Sequence, residues 1–363
     1  MKITNNVNSV LSKWYLNKKN GFFHSLSDFA YDSACYLYKT QKQPSEENID
    51  AMMDRFSFMY DAADAEKIRS EIRKYWMEYG FSPSEYFLYH VFEDDEERNR
   101  SFVSTVDLLK IASILNDRSQ SKILSHKYRC YQFFKEFYHR ECIAGEDIDV
   151  SFVERHPRFM IKHNNGSKGV GIAVEDVRYY RSPEELIDKI QKMENVICEE
   201  LIEQDERLAQ FHRGSVNTVR VRTIRTLKGN TVIWKSNFRT GRGGSFVDNA
   251  FMGGPSAMID PETGIIVCDG YSQEGISYEK HPDTGMVFKG FQIPEWEQLK
   301  KSVLAMVERA DRLRYVGWDL ALTKDGWIMV EGNSFAQLAT PQSHGPTPLK
   351  EEFWDVVYGE KSE

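Results

Sequence analysis

Two carboxylates and an amide in the segment 316–333, VGWDLALTKDGWIMVEGN, have the types and spacing to do chemistry together. Apolar runs flank Lys324-Asp325-Gly326, and Gly326 suits the positive φ of a tight turn, so a β-hairpin is predicted. A three-residue turn would pair Thr323 with Trp327 and set Asp319 opposite Glu331. Side chains alternate along a strand, which puts Asn333 on the face of Glu331. Facing carboxylates repel unless a cation or a proton intervenes, and a metal is the simplest answer. Oxygen donors alone suit Mg²⁺, which keeps positions for water and phosphate, so Asp319, Glu331 and Asn333 are the candidate ligands. The plainer reading, three exposed strand residues, fits less well because Val316, Trp318, Leu320, Ile328 and Val330 read as buried.

A second group of residues could hold phosphate. The stretch 159–172, FMIKHNNGSKGVGI, runs from a strand into a glycine-rich turn and back into a strand. Backbone N–H groups at Gly166, Ser167 and Gly169 could approach phosphate oxygens, with Lys168 adding charge. The pattern lacks GxxxxGK[ST] and is followed by a strand, so it is not a Walker loop. Lys162 at the strand end and Lys127 upstream could each reach an α- or β-phosphate. After another apolar strand, Glu199-Glu200-Leu201-Ile202 has the form of a linker lying against a base, with one carboxylate for ribose hydroxyls. The run NTVRVRTIRT places Arg220 and Arg222 on one strand face and Arg225 on the other. Arg239 and Arg242 follow in FRTGRGGSFVDNAFMGG, near Asp248 and Asn249. Planar guanidinium forks suit an anionic substrate; exposed arginines on a solvated sheet are the bland alternative.

The elements that must position these groups fall into two textures. Up to about residue 125 the chain reads as helical. Ala65–Tyr79 carries an apolar stripe, with Gly80 as its stop and Pro83 beyond; 106–115 reads as a short buried helix, and 125–137 as a helix rich in aromatics. The mixed-charge run 93–100 reads as a solvated helix surface. From about Ser151, strands at 159–163, 171–177, 196–200 and 217–227 take over. The last forms a predicted hairpin with 231–239 across Lys228-Gly229-Asn230. Ser182, Pro183 and Glu185 announce one helix, and 295–315 is the other long one.

Composition limits what these groups can serve. With 363 residues, 41% hydrophobic and 28% charged, the chain has the makeup of an ordinary globular protein. A formal charge of -8 disfavours nucleic acid as a partner. No signal peptide and no apolar run long enough for a membrane span stand out. Five scattered cysteines without CxxC pairing suit free thiols in a reducing compartment, so the cytoplasm is the expected location.

Together these residues resemble the ATP-grasp superfamily, most closely its sugar-transfer-associated branch. IKHNNGSKGVGI, ICEELI, SVNTVRVRT, FRTGRGGSFVDNAFMGG, YVGWDLALTKDG and MVEGNSFAQLATPQ carry the likeness, from Lys127 to Gln342. The ordered pair GWD…EGN is the most specific part. The resemblance implies an α+β ATP-grasp fold, with a helical region over 1–125 and two lobes over 126–204 and 205–363. Many ATP-grasp enzymes begin with a Rossmann-like lobe, whereas this N-terminus reads helical. It further implies that Lys127 and Lys162 contact ATP phosphates, that the 166–171 loop closes over them, and that Glu199, Glu200 and Ile202 hold adenosine. Asp319, Glu331 and Asn333 would bind Mg²⁺, with Arg220 and Arg239 as cationic stabilisers beside the transferred phosphate. The implied reaction joins a small-molecule carboxylate to an amine through an acyl phosphate, the branch name pointing to an amino acid or peptide attached to a sugar or cell-surface polysaccharide precursor. A kinase of the same fold, and a nucleotide-binding regulator without turnover, are the alternatives.

Overall fold

The computed structural model describes residues 5–93, 95–166, 171–244, 253–344 and 347–360. Among the described residues ten α-helices between Asn5 and Tyr138 precede the first strand, as the early texture leads one to expect. Helix Ala65–Tyr79 has the expected bounds, and Gly80 closes it at φ 80°, donating to the carbonyls of Trp76 and Tyr75. A left-handed residue there caps the last turn without a Cβ penalty. The 125–137 segment divides into two helices, Lys127–Phe133 and Lys135–Tyr138. Residues 49–102 have an aromatic core of their own, in which Tyr89 and Phe102 stack with ring centroids 4.6 Å apart.

Eleven strands form two antiparallel sheets among the described residues. The smaller contains β1 (Cys142–Ala144), β2 (Arg158–His163), β3 (Ala173–Asp176) and β4 (Val196–Glu200), in the order β1-β4-β2-β3. The larger contains β5 (Thr218–Arg225), β6 (Thr231–Arg239), β7 (Ser256–Ile259), β8 (Gly270–Tyr271), β9 (Ser277–Tyr278), β10 (Tyr315–Thr323) and β11 (Gly326–Asn333). Its order is β11-β10-β5-β6-β7-β8-β9. Helix Pro183–Gln191 covers the small sheet with Leu186, Ile187 and Ile190. Its start is the expected one: Ser182 caps the Glu185 N–H and Pro183 occupies the first turn. Helix Trp296–Arg309 covers the large sheet.

Two further contacts tie the helical segment to the large sheet. Buried Asn116 donates to the carbonyls of Tyr315 and Ser334 and accepts from the N–H groups of Arg314 and Tyr315. Phe134 packs edge-on against Trp318, whose indole N–H donates to Thr223 Oγ1 at 3.0 Å. Helices 105–115 and 127–133 therefore brace the hairpin that carries the acidic pair. No described helix is long and apolar enough to cross a membrane.

Candidate active site

The β10–β11 hairpin turns through two residues, so Thr323 pairs with Gly326 and not with Trp327 as a three-residue turn would require. Gly326 takes φ 111°. Asp319 nevertheless faces Glu331, because a bulge between Asp319/Glu331 and Leu320/Met329 leaves Val330 as the extra residue. The residue expected in the turn sits in the bulge, and the face is conserved. Val330 is half-buried, where the alternation predicted a buried side chain.

Asp319 is 2% exposed, at the centre of a row that crosses the sheet through Glu331, Asp319, Arg220 and Asn237. Arg220 grips it with a fork, Nε to Oδ1 at 2.6 Å and Nη2 to Oδ2 at 2.5 Å, and Arg239 Nη1 donates to Oδ2 at 2.9 Å. Arg220 Nη2 also lies 3.8 Å from Glu331 Oε1. Burial alone would raise the Asp319 pKa; Arg220 and then Arg239 outweigh it and bring the carboxyl down to about 2. The cation that the facing carboxylates require is thus already supplied by arginine, which corrects the expectation that a metal alone resolves the repulsion. Glu331 is more open, with its side chain 40% exposed, and accepts from Asn333 Nδ2 at 3.2 Å. A carboxylate has about four lone-pair sites. Three at Asp319 accept from arginines, so the outward oxygens of Glu331 and Asn333 are the more open donors.

On the small sheet, Lys162 is buried in β2 and donates to Glu199 Oε2 at 2.8 Å. Glu199 is 3% exposed and also accepts from Arg140 Nη2 at 3.2 Å. Burial raises the Glu199 pKa, but Lys162 and Arg140 together bring it down to about 2. Glu199 is thus the counter-ion of Lys162 and Arg140. Glu200 Oε2 accepts the Glu141 N–H at 2.8 Å, and Ile202 is half-buried in the stretch leading to the hairpin, where Asp205 N–H donates to the Leu322 carbonyl.

Lys127 donates to the Gly166 carbonyl, at the near end of the glycine loop. Burial lowers its pKa, Glu331 and Glu199 raise it, and Lys162 lowers it again, so it shares its surroundings with groups from both sheets. Asn164 fixes this corner by accepting the Lys127 N–H on its carbonyl and the Tyr128 N–H on Oδ1. Ser167, Lys168 and Gly169, like Asp248 and Asn249, lie outside the described residues. Arg222 is 1% exposed, donating to the Gln337 carbonyl and Asn237 Oδ1. Burial brings its pKa down to about 10. Arg225, on the opposite face as alternation predicts, donates to the Val307 and Asp311 carbonyls.

Sequence reasoning missed Arg140. Little in the local sequence marks it, because apart from the Tyr138 carbonyl its acceptors are a carboxylate 59 residues away and main-chain carbonyls of β11. Among the described residues no three His, Cys, Asp or Glu side chains form a ready-made metal cage. The donors on offer are two carboxylates and an amide, a set suited to a hard cation that retains water.

Two antiparallel sheets, one with paired lysines near a glycine loop and one with an acidic hairpin, define an α+β protein of the ATP-grasp class. The profile of the sugar-transfer associated ATP-grasp family matches residues 97–353, and the chain belongs to that family. The fold is similar to that of the ATP-grasp ligase PsnB complexed with minimal precursor, Mg and ADP, at 14% identity over 75% of this chain and 73% of that one, TM-score 0.42. D-alanyl-alanine synthetase A from Vibrio cholerae aligns at 13% identity over 70% of this chain and 72% of its own, TM-score 0.40. N5-carboxyaminoimidazole synthetase from Staphylococcus aureus, complexed with ADP, aligns at 9% over 67% and 53%, TM-score 0.44. Membership rests on the family match and not on these distant likenesses. No curated protein matches the chain.

Proposed function

We propose that the chain is an ATP- and Mg²⁺-dependent carboxylate–amine ligase that works through an acyl phosphate. The observation that carries this reading is the charge arrangement: Lys127 and Lys162 on one side, and Glu331 beside an arginine-clamped Asp319 on the other. ATP would lie between the lobes 126–204 and 205–363. Lys127 and Lys162 would neutralise its phosphates, while the stretch from Glu199 to Ile202 would face the adenosine through backbone groups. Glu331 and Asn333, with the remaining lone pair of Asp319, would hold Mg²⁺, which supplies charge neutralisation at the phosphates when bound.

A substrate carboxylate oxygen attacks the γ-phosphorus and ADP departs, leaving an acyl phosphate. An amine then attacks the acyl carbon, phosphate leaves, and a C–N bond has formed. Arg220 and Arg239, oriented by Asp319, stabilise the negative oxygen that develops in this second step. In this reading the ligase joins an amino acid or peptide to a sugar or cell-surface polysaccharide precursor in the cytoplasm, supported by nothing finer than the sugar-transfer association in the family's description.

Hydroxylamine trapping tests the reading. Protein, ATP, Mg²⁺ and a panel of amino acids and short peptides should yield an acyl hydroxamate together with ADP. A stable phosphorylated product with no hydroxamate would replace the ligase with a kinase.

A further inference from the structure

Arg140 stands where the two sheets meet, and the chemistry proposed so far leaves it without a role. It lies between helix Lys135–Tyr138 and β1 and is 8% exposed. Its Nη1 donates to the Met329 carbonyl at 2.6 Å and to the Tyr138 carbonyl at 3.4 Å, and its Nη2 to the Val330 carbonyl at 3.4 Å and to Glu199 Oε2 at 3.2 Å. The guanidinium sits 4.4 Å from the centroid of the Tyr138 ring. One planar group thus joins the bulge of β11 to the carboxylate that holds Lys162.

The bulge sets the phase of the acidic hairpin. Leu320 faces Met329, so an unbroken ladder would put Val330 opposite Asp319 and turn Glu331 to the face of Trp318, inside the apolar core. The extra residue brings Glu331 round to Asp319. Arg140 binds the two carbonyls at this irregular point.

We propose that Arg140 is a positioning residue that locks the phase of the acidic hairpin to the Lys162–Glu199 pair. The proposal rests on the reading of this cleft as a Mg²⁺–nucleotide site. Stability alone does not account for the residue. Arg140 Nε is buried without a hydrogen-bond partner among the described residues, and both a buried cation and an unmet donor are costly. An apolar side chain of similar volume would serve packing as well, with Glu199 still paired to Lys162. A lysine would keep the charge but not the flat fork that spans four acceptors.

The test compares full-length wild type, Arg140→Met and Arg140→Lys by three measurements. These are urea unfolding, amide hydrogen exchange of residues 328–333 without ligand, and the Mg²⁺ concentration needed for half-maximal ADP binding by calorimetry. Arg140→Met should unfold near the wild-type midpoint, exchange its hairpin amides faster, and need at least about tenfold more Mg²⁺, as loss of an outer-shell partner typically does. Arg140→Lys should fall between. If Arg140→Met does not fold, Arg140→Lys is judged by the same two ligand and exchange criteria. Exchange and Mg²⁺ requirement both within about twofold of wild type would overturn the proposal. Should wild type itself bind no Mg²⁺–ADP, the metal reading of the hairpin is wrong, and the exchange measurement alone then decides on Arg140.

Discussion

Glu85 in the helical segment and Glu199 in the cleft are buried to nearly the same degree, 5% and 3% exposed, yet their acidities move in opposite directions. Burial pushes Glu85 up to about 7, against N–H and O–H donors from Ser82 and Thr105 that hold it down only partly. The hydrogen-bond donors to it from Ser82, Tyr89 and Thr105 are all neutral. Glu199 is brought down to about 2 by Lys162 and Arg140, as Asp319 is by Arg220 and Arg239. At Glu85 neutral donors anchor the carboxyl without overcoming the cost of burial. At Glu199 and Asp319 fixed cations do overcome it.

Asp319→Asn attacks that contrast most severely, because an amide cannot accept a guanidinium fork and a second guanidinium together. ATP turnover should fall on the order of 10³-fold, the scale of losing preorganised oxyanion donors. A steady-state ADP-release assay checks this, and unchanged ATP consumption would favour a role without catalysis.

Glu199→Gln should be next, since Lys162 and Arg140 would share no anion. A loss of about 3–5 kcal/mol in urea unfolding at pH 7 is expected. A loss below about 1 kcal/mol would mean that water, not Glu199, neutralises these cations.

The pH profile sharpens the same comparison. Asp319 and Glu199 have folded pKa values below their ordinary 3.8 and 4.5, so the unfolded chain binds the extra protons. Their stabilisation is present above pH 4.5 and is lost as pH falls toward 2, by about 2–3 kcal/mol each. Glu85 works the other way: its raised folded pKa makes stability decline as pH rises from 4.5 to about 7. Denaturation midpoints across pH 2–8 should therefore pass through a maximum near pH 4–5 if these three groups dominate.

Glu85→Gln gives the smallest effect and isolates one limb. It should stabilise the protein at pH 8 by about 1–2 kcal/mol and have little effect at pH 4.5. Equal effects at both values would show that Glu85 does not titrate in this window.

The hairpin shows how far local pattern carries. Two apolar strands around Lys324-Asp325-Gly326 were legible, and so was the pairing of Asp319 with Glu331, but the reason for the pairing was not. A two-residue turn with a bulge and a three-residue turn without one both set Asp319 opposite Glu331, so that pair cannot distinguish them; they differ over 327–329, where the shorter turn brings Trp327 and Met329 to the core face of Leu322 and Leu320. Helix Ala65–Tyr79 was legible to its ends because a glycine in the left-handed region ends a helix through local geometry. The partition of charge was not legible. Arg220 and Arg239 lie 99 and 80 residues from Asp319, and no spacing rule joins them.

The sequence by itself determined the helix-then-strand order, the hairpin bearing two carboxylates and an amide, and the lysines flanking a glycine loop. These follow from periodicity, turn chemistry and side-chain type, which act over a few residues. Long-range contacts decided that arginines clamp Asp319, that Glu199 pairs with Lys162, and that Arg140 bridges the sheets. Those outcomes depend on which charges meet once water is excluded, and that is set by contacts between segments far apart in the chain.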